Sequence, residues 1–233
     1  MKNASQHAQT LKKLIASLTK SHAKAVEAAG PRPSLDPLRA LVLACLREDQ
    51  PEAKVSPALA DLDAEFGDAN EIRVATELEL ADHLEPHFGE AGSHVVAERL
   101  KAALAAVFDI EGHLSLSRVE KLAKREQRQA FRSIAEKADG SITPFAESHV
   151  GLAAFAIGTL PVDVPLHGLL VERDAVDAEA DIADVRRFVD QNVKLDDAWP
   201  FFIAARAEAH GGKPKPARKK PAKKTSKKTS KSK

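Results

Sequence analysis

The sequence predicts an all-α protein, and three observations carry that prediction. Apolar residues recur at helical spacing in nearly every stretch between turn signals, and no segment alternates apolar and polar residues as a half-buried strand does. Aromatics make up 4% of the 233 residues and tyrosine is absent. Abundant alanine completes the bias, because small side chains favour closely packed helices over sheets.

The elements follow in order. Residues 4–29 place Leu11, Leu14, Ile15 and Leu18 on one face and end at Gly30-Pro31. Asp36-Pro37 opens a helix apolar on nearly every side (Leu38, Leu41, Val42, Leu43, Leu46), the mark of a central buried element. Ser56-Pro57 reads as the cap and first residue of a third, with Leu59, Leu62 and Phe66 inward. Short helices are expected at 70–74 and 77–84, and a long one at 93–108. Ser117 and Glu120 have capping-box spacing and open a segment running to about Lys137. Helices at 144–158, 165–173, 178–191 and 196–209 complete the domain, with Gly158 as the expected end of the first of these. The chain divides into an amphipathic N-terminal helix at 1–30, a helical domain at 36–210 and a tail at 211–233.

Charge separates tail from body. Residues 213–233 hold 11 Lys/Arg and no acid; removing these from the chain's 35 leaves 24 against 34 acids, a net charge of −10 on the rest. Lysines interrupted by Pro, Ala, Ser and Thr bury nothing, so the tail is expected to be disordered. It resembles the tails of linker histones and bacterial nucleoid proteins. That resemblance implies binding of DNA phosphates through Lys219, Lys220, Lys223 and Lys224 without reading sequence. Folding back onto the acidic body is the competing expectation. Within the body, the helix after Ser117 carries one basic face, Arg118, Lys121, Lys124, Arg125, Arg128 and Arg132. It is either an ordinary solvated face or a phosphate contact.

Several function classes are excluded or demoted. One cysteine, Cys45, on an apolar helix face rules out an internal disulfide or a multi-thiolate metal site. His83 and His87 have His-x-x-x-His spacing, but His94, His113, His149, His167 and His210 show no such pairing, so no metal or cofactor is assigned. No apolar run reaches the ~20 residues of a membrane span, so the default is an intracellular, nucleoid-associated protein without a membrane partner, taken as a monomer.

The stretch with most chemical content is Gly158-Thr-Leu-Pro-Val-Asp163-Val-Pro165. Pro165 suits a first helical turn, so Asp163 stands at the positive end of a helix. It is either a helix cap or an acid held over a ligand. The order of helices, with Ile142-Thr143-Pro144-Phe145 opening an alanine-rich helix and then Leu160-Pro161-Val162-Asp163, resembles the endonuclease III-like DNA glycosylases across residues 36–210. That superfamily is named for a helix–hairpin–helix followed by a Gly/Pro-rich loop and an aspartate. The resemblance implies a two-lobed helical array, DNA as partner, a hairpin at Ile142, Thr143 and Pro144 offering N–H groups to phosphate, a flipped base, and Asp163 as the catalytic residue. Arg125, Arg128 and Arg132 would hold the backbone.

This chain departs from the pattern in three places. Thr143 replaces a hairpin glycine. The Schiff-base lysine position holds Phe145 (Glu147 on an alignment through His167), which removes the lyase nucleophile. The four-cysteine cluster loop is absent. Leu46 or Arg47 stands where a residue filling the flipped base's hole is expected. Phe145, Phe155, Trp199, Phe201 and Phe202 are core residues or base-stacking platforms. Two functions follow: a monofunctional DNA glycosylase in base-excision repair, without lyase activity, or a non-catalytic nucleoid-associated or damage-sensing DNA binder on the same fold.

Overall fold

The computed structural model describes residues 3–211. Among them are thirteen α-helices and no strand, as the sequence predicts. In chain order they are α1 (Ala4–Ser21), α2 (Ala23–Ala29), α3 (Pro37–Arg47), α4 (Glu52–Phe66), α5 (Ala69–Val74), α6 (Glu77–Phe88), α7 (Glu90–Glu111), α8 (Ser117–Glu120), α9 (Lys124–Lys137), α10 (Pro144–Ala153), α11 (Val164–Glu172), α12 (Ile182–Asn192) and α13 (Leu195–Gly211).

Helix α3 is the buried centre that its all-round apolar sequence predicts. Asp36 caps it through the Arg39 N–H, and Ala40, Leu41, Ala44 and Leu46 have no exposed surface. It packs against α4, α7 and α10. Helices α6 and α7, joined only by the positive-φ Gly89, lie along each other, and Thr76 with Glu79 forms a capping box at the start of α6. On the other side α13 gathers α1, α2 and α11. The N-terminal helices thus lie against the last one.

Four of the boundaries that differ from expectation have a tertiary reason. The 4–29 helix breaks at His22, whose ring meets Glu208 on α13 at 2.8 Å. Helix α4 starts at Glu52 and carries Pro57 inside it, because Arg47 grips the Glu52 carboxylate and fixes an extra upstream turn. The 117–137 segment is two helices. Ser117 caps nothing, and the reach-back belongs to Glu126, whose carboxylate accepts from the Ala123 N–H at 3.2 Å. Helix α10 stops at Ala153, five residues before Gly158. Phe155 turns inward against Phe131, with ring centroids 5.8 Å apart, and the Ile157 N–H returns to the Gly151 carbonyl at 2.9 Å. A side chain on Gly151 would meet the Thr159 methyl at 3.2 Å, which suits glycine there.

Candidate functional site

The connection from α10 to α11 is pinned before it reaches Asp163. The Asp190 carboxylate on α12 accepts from the Thr159 hydroxyl at 3.0 Å and the Leu160 N–H at 3.0 Å. Leu160 and Val162 are buried. Asp163 then caps α11, its Oδ1 accepting from the Leu166 N–H at 3.0 Å, and Pro165 falls in the first turn as expected.

The other oxygen of Asp163 faces protein. Arg206 of α13 donates from Nη1 to Oδ2 at 2.6 Å, and the Asp49 N–H approaches the same atom at 3.4 Å. The Asp163 side chain has 0% exposure and that of Arg206 2%. The second Arg206 nitrogen, Nη2, donates to the carbonyls of Arg47, at 2.8 Å, and Gln50. Burial by itself would push Asp163 up; His210, 3.8 Å away, and Arg206 outweigh it and hold the carboxyl below its ordinary range.

The network continues inward. Arg47 donates from Nε to both oxygens of Glu52, at 3.2 and 3.0 Å, and from Nη1 to His149 Nε2 at 2.8 Å. His149 completes the chain through Nδ1 to the Ala40 carbonyl at 3.1 Å. That arrangement requires the proton on Nδ1. Burial, reinforced by Arg47, drives the His149 pKa well below normal, so the ring is neutral. Aromatic rings enclose the charges: Arg206 lies 5.5 Å from the Phe202 centroid and 5.8 Å from Phe145, and Arg47 lies 5.9 Å from Trp199. Phe145, Phe155, Trp199, Phe201 and Phe202 are all buried, so these rings act as core. Leu46 and Arg47, the candidates for filling a flipped base's hole, are 0% and 8% exposed. A cleft of about 380 Å³ between α2, α4 and α13 is lined by Arg47, Glu52, Trp199 and Arg206, among others, but not by Asp163.

The hairpin runs from α9 through 138–143 to α10, with Asp139 and Gly140 at positive φ. Ile142 is buried and Pro144 exposed. Thr143 caps α10 by accepting from the Ala146 N–H at 3.1 Å and donates its own proton to Glu48 at 2.8 Å. A carboxylate already lies beside the positive end of α10, where the resemblance implies a phosphate. Burial raises the pKa of Glu48 while Arg99, 3.2 Å away, opposes it.

On the basic face Arg118 pairs with Glu111, Arg132 with Glu136 at 3.0 Å, and Arg128 comes within 3.7 Å of Asp190. Lys121, Lys124 and Arg125 are exposed, with no ion pair among the described residues. Lys219, Lys220, Lys223 and Lys224 lie outside the described residues. Among the described residues no group of His, Cys, Asp and Glu is arranged to hold a metal, and no helix is long and apolar enough to cross a membrane.

The residue the sequence reading missed is Arg206. It is the only charge in the run from Ala198 to Ala207. A lone arginine in a buried apolar stretch marks a paired charge in the core, and that signal was available.

This helix order is an all-α fold similar to that of endonuclease III. In particular, the chain superposes on a solved structure of a trapped endonuclease III–DNA covalent intermediate, an estranged-adenine complex, with a TM-score of 0.61 and 10% identity over 86% of this chain and 84% of that one. No protein-family model and no curated protein matches the sequence.

Proposed function

We propose that this protein is a non-catalytic nucleic-acid binder built on the endonuclease III-like scaffold, with DNA phosphates as its main target. One observation carries the non-catalytic part: Asp163, the only acid the resemblance offers for catalysis, has a side chain with no exposed surface and spends its charge on Arg206. Activating water needs a carboxylate within hydrogen-bond reach of substrate, and here that oxygen already receives an arginine proton at 2.6 Å. Phe145, in the lysine position, supplies no amine. The partner is read from three sources: the fold is one that a DNA complex also has, α9 exposes Lys124 and Arg125 unpaired among the described residues, and the tail adds 11 basic residues without an acid. A tethered basic tail raises the local concentration of an otherwise acidic domain near phosphate.

The test is a duplex carrying single damaged bases, incubated with the full-length chain. Binding that weakens steeply with salt, without formation of abasic sites, is the expected result. Base release by the wild-type chain would show that Arg206 withdraws from Asp163, restoring the glycosylase reading. Failure to bind any DNA at low salt removes the proposal.

A further inference from the structure

The N-terminal helices lie outside residues 36–210, whose sequence carries the resemblance, and they bear the most one-sided charge in the described structure. Residues 1–26 contain five lysines and no acid; the first acid is Glu27. Leu11, Leu14 and Leu18 fix α1 by burying its opposite face against the body. His7 anchors its start to Asp177 at 2.9 Å, and His22 anchors the break after it to Glu208 at 2.8 Å. Lys12, Lys13, Lys20 and Lys24 are left pointing to solvent.

Between α1 and the junction of α12 with α13 runs a groove of about 760 Å³. Lys12, Lys20 and Lys194 border it with Asp197, leaving a net charge of +2, and Ala8, Ile15 and Ala16 supply apolar surface. Its α1 wall extends from Ser5 to Lys20, roughly 22 Å at 1.5 Å per residue. A long groove with cations along its edge and small apolar side chains within it suits a phosphate backbone, whose charges are regularly spaced and whose sugars are apolar.

One neighbouring feature extends the same surface. His22, at the end of α1, touches Glu208, three residues before Gly211, where the basic tail departs.

We propose that the α1 groove is a nucleic-acid backbone site, so that the groove and the root of the tail form one track for a polynucleotide. This rests on the reading of the chain as a nucleic-acid binder. It adds the partner surface for which residues 1–30 are retained.

The experiment compares the full-length chain with its Lys12→Glu/Lys20→Glu/Lys194→Glu variant, and with a full-length tail variant in which Lys219, Lys220, Lys223 and Lys224 become Ala. Affinity for a 20-base-pair duplex and for a single strand of equal length is measured against salt. All three groove lysines are exposed, so the thermal midpoint should not move; a Lys→Gln triple replaces the charge-reversed variant if it does. Loss of three phosphate contacts reduces the log–log salt slope by about 2 to 3 and lowers low-salt affinity at least about tenfold. Lys12, Lys20 and Lys194 should also be protected from acetylation when DNA is added to the wild type. A larger loss on one nucleic acid identifies whether duplex or strand occupies the groove. Wild-type affinity and slope in the groove variant, alongside weakened binding in the tail variant, overturn the groove and leave the binding reading standing. A wild-type chain that binds neither nucleic acid overturns both.

Discussion

Arg206 and Arg125 carry the same charge in two opposite environments. Arg206 is 2% exposed, and its guanidinium is held by Asp163, two backbone carbonyls and two phenylalanine rings. Arg125 stands on the outer face of α9 with no ion partner among the described residues. A cation in the interior is stable only among opposite charges and acceptors; even Arg206 Nε, which makes no hydrogen bond, lies 3.7 Å from Glu52, so the group is fixed in place and unavailable to a ligand. A cation on the surface is solvated and free to meet phosphate. The comparison teaches that in this molecule the recognisable acid belongs to the interior class, and that only the exterior cations stay open to a ligand.

The largest expected effect comes from breaking the interior pair on one side. Arg206→Ala leaves Asp163 buried and unpaired and should lower unfolding stability by about 3–5 kcal/mol in urea titrations. Replacing both partners, as in Asp163→Leu with Arg206→Met, should recover much of that loss, because the buried charge disappears. Arg125→Ala should stay within about 0.5 kcal/mol of wild type. Similar costs for Arg206→Ala and Arg125→Ala would erase the contrast.

Next in size is the cap on α10. Thr143→Ala should cost about 1 kcal/mol and Thr143→Ser distinctly less, since serine restores the acceptor for the Ala146 N–H. Equal losses in the two variants would mean that the methyl group's packing matters more than the cap.

The pH dependence sharpens the interior half. His149 is neutral in the folded protein and has its usual affinity for protons when unfolded. Its folded pKa is depressed, so its contribution is full above about pH 6.5 and is lost as pH falls below that value. Thermal stability should therefore drop between pH 7 and pH 5, and His149→Gln should flatten that drop. Glu48 and Asp190, whose pKa values burial raises, act in the opposite sense as pH falls. An unchanged slope in the glutamine variant would show that another group titrates.

The smallest effect belongs to the surface pairs. Arg132 and Glu136 are both 66% exposed and one turn apart, so Arg132→Ala should change stability by no more than about 0.5 kcal/mol, less in high salt. A loss above 1 kcal/mol would place α9 in the same class as the core.

Much of the fold was legible because helix periodicity and caps are local. Asp36-Pro37, Thr143-Pro144 and Asp163 with Pro165 each mark a helix start found in the structure. Where a distant partner sets the boundary, local pattern failed. Glu52 begins α4 early because Arg47 reaches it, and Phe155 ends α10 early because Phe131 is waiting.

The site divides the same way. The sequence by itself determined that Asp163 occupies a stiff turn at the positive end of a helix, and that acids, apart from none before Glu27 and none after Gly212, crowd the body. Only the tertiary structure decided what that carboxylate faces. Arg206 lies 43 residues away and Arg47 more than a hundred, and nothing in either local pattern ties it to Asp163. Burial removes water from all of them at once, and ions without water must find each other. A helix start is a property of a few adjacent residues, whereas solvent access is a property of everything packed around them.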